Sequence, residues 1–166
     1  QYIPPTAEYF HVSINGRAIG EALAPIAEAL KADEHVRQLS LESANIGPEA
    51  LSILAGVFSL NDFLEELYLS GNDVGRDGTK ILCEGIAQSK SLAVLHLASC
   101  GLGDEAAKIL ADLIEKNNSL RILDLCNNTI GEVGFEPIYE AIKCNENIVK
   151  CNLRDNKIPK EKGEKL

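Results

Sequence analysis

LEELYLSGNDVG, at residues 64–75, is the first of four closely related segments that follow one another at a constant interval. The others are LAVLHLASCGLG from Leu92, LRILDLCNNTIG from Leu120 and IVKCNLRDNKIP from Ile148, so the starts lie 92 − 64 = 120 − 92 = 148 − 120 = 28 residues apart. VRQLSLESANIG begins another 28 residues upstream at Val36, and a weaker copy, YFHVSINGRAIG, begins 27 residues before that at Tyr9. A fixed period of this length indicates a solenoid of stacked units.

Each unit contains two hydrophobic periods. In every clear copy two apolar residues alternate with others, as Leu95 and Leu97 do, and this predicts a short strand with both leucines on one face. The stretch DEAAKILADLIEK, residues 104–116, then places its apolar side chains on one helical stripe. Corresponding helices are predicted over 21–32, 48–59, 77–88 and 134–143.

The pattern LxxLxLxx(N/C)xL, with its 28-residue period and a helix in each unit, resembles the ribonuclease-inhibitor-like class of leucine-rich repeats over residues 9 to about 158. The resemblance implies an α/β fold: a right-handed horseshoe of about six repeats, with a concave parallel sheet and helices on the convex side. We expect one domain over residues 1–166, and we expect this chain to be a fragment of a longer protein. Residues 1–8 would form an N-terminal cap, and 159–166 a charged tail or a truncated repeat.

One polar position follows each predicted strand, where the chain turns away from the sheet and leaves backbone groups unpaired. An amide or thiol at this position can bond to the backbone of its own turn and of the neighbouring turn. The predicted ladder consists of Asn72, Cys100, Asn128 and Asn156. Arg17 and Ala44 hold this position in the first two units, so we expect a weaker ladder there, with Asn45 partly substituting for Ala44.

Composition restricts the classes of partner. The chain has 166 residues and a net charge of −9, which disfavours nucleic acid as a partner. No stretch approaches the roughly 18 apolar residues that a membrane span needs. The five cysteines show neither a CxxC pair nor zinc-site spacing, so we predict reduced thiols, no metal, no cofactor, and a cytoplasmic or nuclear protein. Cys126 is predicted to be an exposed, reactive thiol, and Cys83, Cys144 and Cys151 to be packing residues or to lie near them.

If the leucines point into the solenoid, the residues between them face its concave opening. An exposed tyrosine beside apolar residues and surrounded by charges is typical of a protein-binding hot spot. We call the predicted binding surface the concave face, and it consists of Tyr68, Val94, His96, Ile122, Asp124, Glu66, Cys126, Lys150, Asn152 and Arg154. A rival site is the rim of loops after the strands, with Asp73, Arg76, Gly101, Asp104 and Glu132.

The main functional hypothesis is a non-enzymatic module that holds another protein, or another domain of the same protein, against the concave face. His96 and Asp124 are predicted to be neighbours, but no activated nucleophile lies near them, so a catalytic dyad is disfavoured. One alternative is a GTPase regulator, because the repeats resemble those of the Ran GTPase-activating protein. A second is a sensing or autoinhibitory region of a larger switch, since the repeats are also similar to those of nucleotide-binding immune receptors, actin-capping regulators and ciliary assemblies.

Overall fold

The computed structural model describes the backbone of residues 20–163 and the side chains of residues 23–162. Helices and strands alternate along this part of the chain. The strands are β1 (Gln38–Ser40), β2 (Glu66–Tyr68), β3 (Val94–His96), β4 (Ile122–Asp124) and β5 (Lys150–Asn152). The helices are α1 (Gly20–Ala32), α2 (Pro48–Phe58), α3 (Gly75–Ile86), α4 (Asp104–Lys116), α5 (Glu132–Cys144) and α6 (Lys160–Gly163).

The five strands form one parallel sheet in sequence order, and each strand pairs with the next in a register of one repeat. Leu67 lies beside Leu39 on one side and Leu95 on the other, and Leu95 lies beside Leu123. Because side chains alternate across a strand, this register places one residue of every strand in the core. The sheet and the helices around it confirm the predicted α/β solenoid, whereas the number of repeats remains a prediction.

The core consists of the strand leucines and the apolar stripe of each helix. Leu67, Leu95 and Leu123 are fully buried, as are Leu82 of α3 and Leu110 of α4. Parallel strands lie about 4.8 Å apart while packed helices need about 8–10 Å, so stacking such units bends the sheet toward its open side. The exposed surface of the sheet is therefore the inside of the arc.

Glycines allow two pairs of adjacent helices to approach closely. A Cβ built on Gly85 of α3 would lie 2.7 Å from the Cα of Ala55 in α2. A Cβ on Gly134 of α5 would lie 2.8 Å from the Cβ of Ala107 in α4. Neither position has room for a side chain, because real Cβ atoms do not approach other atoms this closely.

Each strand leads into a turn in which the residue at the same position of the repeat lies in the left-handed region of backbone space. This residue is Gly71 after β2, with φ of +76°, and its Cβ would lie 2.6 Å from the Oγ of Ser43 in the preceding turn. In the other turns the residue is Ser43, Ser99, Asn127 or Asp155. These residues recur at 28-residue intervals, so the turn geometry repeats even where the sequence does not supply glycine.

The predicted helix positions agree with the observed ones to within two residues, the largest difference being in α3, which begins at Gly75 and ends at Ile86. The charged residues near the C-terminus form the short helix α6, in which Lys162 makes ion pairs with Glu132 and Glu136 of α5. The predicted cap over 1–8, the strand of the unit that starts at Tyr9, and Arg17 lie outside the described residues.

Candidate functional site

The concave face is built from the outward-facing residues at both ends of each short strand. One row contains Glu66, Val94, Ile122 and Lys150, which are register partners in adjacent strands. The next row contains Tyr68, His96, Asp124 and Asn152, also in direct register. Cys126 and Arg154 lie two residues beyond the ends of β4 and β5. The sheet therefore brings the ten predicted residues together on one surface.

An aromatic pair occupies the middle of this surface. The ring centroids of Tyr68 and His96 lie 4.6 Å apart, with their planes inclined at 42°. The Tyr68 hydroxyl donates a hydrogen bond of 2.7 Å to Oε2 of Glu66. Burial, followed by the hydrogen bond to Glu66, raises the pKa of the Tyr68 phenol. The ring is thus held in place by contacts on two sides, and a partner would not have to order a freely rotating side chain.

Asp124 is held by hydrogen bonds within the sheet. Its Oδ1 accepts hydrogen bonds from the Cys126 backbone N–H at 2.9 Å and from Nδ2 of Asn152 at 3.1 Å, and its Oδ2 lies 3.9 Å from Nδ1 of His96. A chain of polar contacts therefore runs from His96 through Asp124 to Asn152. The carboxylate of Asp124 therefore links the side chains of His96 and Asn152 on the two neighbouring strands.

The prediction of an exposed, reactive thiol at Cys126 is wrong. Cys126 is only half-exposed, and its Sγ lies 3.6 Å from Oδ2 of Asp155. Burial, and then the hydrogen bond to Asp155, raises the pKa of the Cys126 thiol. Since the thiolate is the reactive form, a raised pKa lowers the reactivity of this cysteine near neutral pH.

An apolar stretch lies directly beside the aromatic pair. Val94 and Ile122 are register partners on β3 and β4, and both are half-exposed. Ala98 and Cys126, also half-exposed, follow the same two strands. Val94 and Ile122 therefore lie on one side of the row that contains His96 and Asp124, and Ala98 and Cys126 lie on the other. Partly exposed apolar side chains next to an ordered tyrosine are the composition found at the centres of protein interfaces.

Two residues of the rival rim site have structural contacts that account for their placement. Oδ1 of Asp104 accepts hydrogen bonds from the backbone N–H groups of Gly131, at 2.6 Å, and Gly134, at 3.1 Å. It therefore caps the N-terminus of α5 from the neighbouring unit. Glu132 makes an ion pair of 2.7 Å with Lys162. These two carboxylates of the rim therefore stabilise the packing of adjacent units.

The ladder residues bond to the backbone of two successive turns. The Oδ1 of Asn72 accepts from the N–H groups of Ala44 (3.0 Å) and Ile46 (2.9 Å), and its Nδ2 donates to the carbonyls of Leu41 (2.8 Å) and Leu69 (2.7 Å). Asn128 and Asn156 make the same kinds of contact two and three units further along the chain. In the unit that starts at Leu92, the Sγ of Cys100 donates to the Leu69 carbonyl at 3.2 Å.

The expected partial substitution of Asn45 for Ala44 is wrong. Ala44 is buried at this position and its backbone N–H is bonded to Asn72, whereas the side chain of Asn45 is exposed. Asn45 also has a left-handed backbone, with φ of 55°. The turn after β1 therefore directs this amide outward, and the ladder of the described units begins at Asn72.

A second row of polar side chains joins the opposite turns, between each helix and the next strand, and sequence reasoning missed its role. Nδ2 of Asn61 donates to the carbonyls of Leu30 (2.6 Å) and Asp33 (2.9 Å), while its Oδ1 accepts from the N–H groups of Phe63 (2.9 Å) and Leu64 (2.7 Å). Equivalent contacts recur at Asn117 and Asn145. The available signal was the 28-residue series Asp33, Asn61, Ser89, Asn117 and Asn145.

The other cysteines differ in their surroundings. Burial raises the pKa of Cys83 and that of Cys151 to about 12 in each case, as suits small packing residues. Cys144 is exposed at the end of α5, and so it is one of the cysteines that lie near the packing positions and not in them. Within residues 23–162, no group of three or more His, Cys, Asp or Glu side chains is arranged to hold a metal ion. None of the described helices combines the length and apolarity needed to cross a bilayer.

Comparison with known proteins agrees with this architecture. The profile described as Leucine Rich repeat matches residues 60–83, 88–111 and 116–138. No curated protein matches the chain. Among solved structures, actin-binding site 2 of leiomodin-1 superposes with a TM-score of 0.71 and 16% identity, covering 82% of this chain and 79% of that one.

The C-terminal domain of tropomodulin from Caenorhabditis elegans superposes with a TM-score of 0.64 and 17% identity, covering 84% of this chain and 86% of that one. Sequence identities this low show a shared fold only. What this chain binds has to be argued from its own residues. The ribonuclease-inhibitor-like class remains a resemblance. The three matched repeats, the parallel sheet with its surrounding helices, and the two superposed structures together show that the chain has an α/β leucine-rich-repeat solenoid fold.

Proposed function

We propose that this chain is a protein-interaction module and that its partner binds on the concave face. The observation that carries the proposal is the partly exposed centre of the sheet, where Tyr68, Val94, His96 and Ile122 are register neighbours. An aromatic anchor beside apolar residues, with polar groups around it, provides both buried area and orientation for a protein ligand. Extended concave surfaces of solenoids suit this use because they present many strands at once.

The concave face is a better candidate than the rim because its aromatic anchor, Tyr68, is held by a hydrogen bond within its own strand and not by one that joins adjacent units. Tyr68 and Asp124 are held by neighbours on the same surface. Asp104 and Glu132 on the rim contact the next unit, so changing them would disturb the stack itself. Binding at the concave face can therefore be tested with little disturbance of the fold.

The test compares the chain with a Tyr68→Ala/Ile122→Ala variant in affinity capture from cell lysate, followed by identification and then titration of each captured protein. The matched control is Leu60→Ala/Val133→Ala, which removes two apolar side chains that are 65% and 60% exposed and lie outside the strands. Circular dichroism and thermal unfolding would establish that all three chains are folded. A Tyr68→Phe variant, which keeps the ring, separates the contribution of ring contact from that of the hydroxyl.

We expect the Tyr68→Ala/Ile122→Ala variant to lose the specific partners and the control to retain them. Loss of an interface anchor typically costs 2 kcal/mol or more, which corresponds to about 30-fold in affinity. Partners that bind both variants equally would place the site elsewhere. The proposal would then be wrong even though the chain has a leucine-rich-repeat fold.

Actin is one specific protein to include, because the leiomodin-1 structure that shares this fold is an actin-binding site. Sedimentation with filamentous actin and titration with monomeric actin, using the same three chains, would test it. Binding that is lost with Tyr68→Ala/Ile122→Ala and kept in the control would identify actin as a partner at the concave face. Absence of binding would exclude actin and leave the general proposal to the capture experiment.

The two alternatives from sequence resemblance remain predictions with direct tests. A GTPase regulator would accelerate single-turnover hydrolysis by a small GTPase, and Arg76, which is exposed and lies 3.1 Å from Asp77, is the rim residue to replace. A sensing or autoinhibitory region would bind another domain of its own polypeptide. That domain would compete with captured partners for the concave face.

A further inference from the structure

The concave face has charges of opposite sign at its two ends. Near β1 and β2 lie Glu42, which is exposed, and Glu66, which is half-exposed; we call these two residues the acidic pole. Near β5 lie Lys150 and Arg154, both exposed, and we call these two residues the basic pole. The apolar and aromatic centre lies between the two poles.

The charges at the poles are largely uncompensated by their surroundings. Within the described residues, neither Lys150 nor Arg154 forms an ion pair, and neither does Glu42 or Glu66. Glu66 accepts a hydrogen bond from the neutral Tyr68 hydroxyl, which leaves its charge in place. The basic pole is also a local exception on a chain with a net charge of −9, although exposed Asp155 next to Arg154 partly offsets it.

Two other carboxylates lie on or near the face. Asp124, in the middle of the face, accepts two hydrogen bonds from neutral donors and lies 3.9 Å from His96, so it adds a carboxylate to the centre. Glu65, beside the acidic pole, pairs with Arg37 at 3.4 Å between Nε and Oε1. The pattern across the strands is therefore acidic at β1 and β2, apolar and aromatic with the single carboxylate of Asp124 in the centre, and basic at β5.

From this pattern we propose that the partner presents a linear segment with the opposite order of charge, which crosses the strands along the arc. This inference rests on the proposed function. The segment has basic residues over Glu42 and Glu66, apolar or aromatic residues over the centre, and acidic residues over Lys150 and Arg154. Complementary charge at both ends sets its direction and speeds its association, while the apolar centre supplies most of the affinity.

The dimensions of the sheet determine the spacing in the segment. Neighbouring strands lie about 4.8 Å apart, so β2 to β5 spans roughly 14 Å and β1 to β5 roughly 19 Å. An extended chain advances about 3.3 Å per residue. The basic and acidic residues of the partner are therefore separated by about four to six positions, and these positions are occupied by apolar residues.

The test is selection of a displayed library of random 12-residue peptides on the intact chain, followed by affinity measurement of the enriched peptides. Each peptide is then measured against Lys150→Glu/Arg154→Glu. The matched control is Lys80→Glu/Lys90→Glu, which makes the same change in net charge at exposed positions outside the concave face. Since two attractive contacts become repulsive, we expect about a 10-fold loss with reversal of the basic pole and less than about a 2-fold change in the control.

Replacing the acidic residues of an enriched peptide with lysine should restore its binding to Lys150→Glu/Arg154→Glu. Enrichment of peptides without separated basic and acidic ends, or no enrichment at all, would overturn the inference, as would equal losses in the pole and control variants. Loss of binding to Tyr68→Ala/Ile122→Ala without any effect of pole reversal would refute only the charge pattern. Retention of binding by both variants would refute the proposed function as well.

Discussion

Asn128 offers the clearest test of what joins the repeats. Only 8% of this residue is exposed, and its side chain bonds to groups in two turns. Its Oδ1 is the acceptor for the N–H groups of Cys100 at 2.9 Å and Leu102 at 3.0 Å, and its Nδ2 donates to the carbonyls of Leu97 at 2.9 Å and Leu125 at 3.0 Å. Replacement by alanine removes all of these bonds at once.

The expected cost follows from which groups lose their partner. The Leu125 carbonyl still accepts from Asn156 at 2.9 Å, so three buried groups are stranded: the N–H of Cys100, the N–H of Leu102 and the carbonyl of Leu97. Each unsatisfied buried group costs roughly 1–3 kcal/mol. Allowing for some entry of water, we expect Asn128→Ala to lower the free energy of unfolding by about 4 kcal/mol, out of a total that is typically 5–15 kcal/mol.

Two further variants make this prediction specific. Asn156→Ala should cost only about 1–2 kcal/mol, because this residue is half-exposed and water can replace its bonds. Asn128→Cys should fall between the two at about 3 kcal/mol, since the thiol of Cys100 shows that sulfur can serve one carbonyl at this position. Urea unfolding followed by far-ultraviolet circular dichroism would measure all three variants. Equal losses for Asn128→Ala and Asn156→Ala, or a loss below about 1 kcal/mol for Asn128→Ala, would refute the ladder as a main source of cohesion.

Three other predictions concern packing, pH dependence and thiol chemistry. Gly85→Ala should destabilise the protein by about 1–3 kcal/mol because its Cβ would meet the backbone of α2, whereas Gly56→Ala, with its nearest contact at 3.8 Å, should stabilise it by about 0.5–1 kcal/mol; thermal unfolding would compare them. The phenol of Tyr68 has a raised pKa when folded, so its contribution to stability is present below the unfolded pKa of about 10 and is lost as pH rises through the folded pKa; Tyr68→Phe should remove this part of the alkaline slope in a pH series of unfolding curves. With a thiol reagent at pH 8, exposed Cys144 should react first, and Cys83, with a pKa of about 12, should react only after unfolding; early modification of Cys83, read by mass spectrometry, would contradict the buried packing.

The repeat period was enough to place the elements of the fold. The 28-residue spacing gave the strand leucines and the helix stripes directly, because side-chain periodicity reflects which face is buried. The expected row of amides and thiol after the strands also lies where the pattern put it, with bonds to neighbouring turns. Because these features recur in each unit, every copy supports the same structural assignment in the others.

Two features were harder to infer from the sequence. Asn45 and Ala44 are adjacent in sequence, and only the left-handed turn directs one outward and the other inward. Asn61 and Asn117 looked like ordinary turn residues because their bonds reach carbonyls 31 residues earlier in the chain, at Leu30 and Ile86.

The sequence alone therefore determined the repeat, the alternation of strand and helix, and which strand side chains face away from the core, since all three follow from local periodicity. Tertiary structure decided the rest. It showed that Asp124 is held by Asn152 and Cys126, that Asp104 caps a helix of the next unit, and that the charges of the two poles remain unpaired within the described residues. The physical reason is that hydrogen bonds and ion pairs depend on distances of a few ångströms between residues that are about 28 positions apart, and periodicity carries no information about which of them meet.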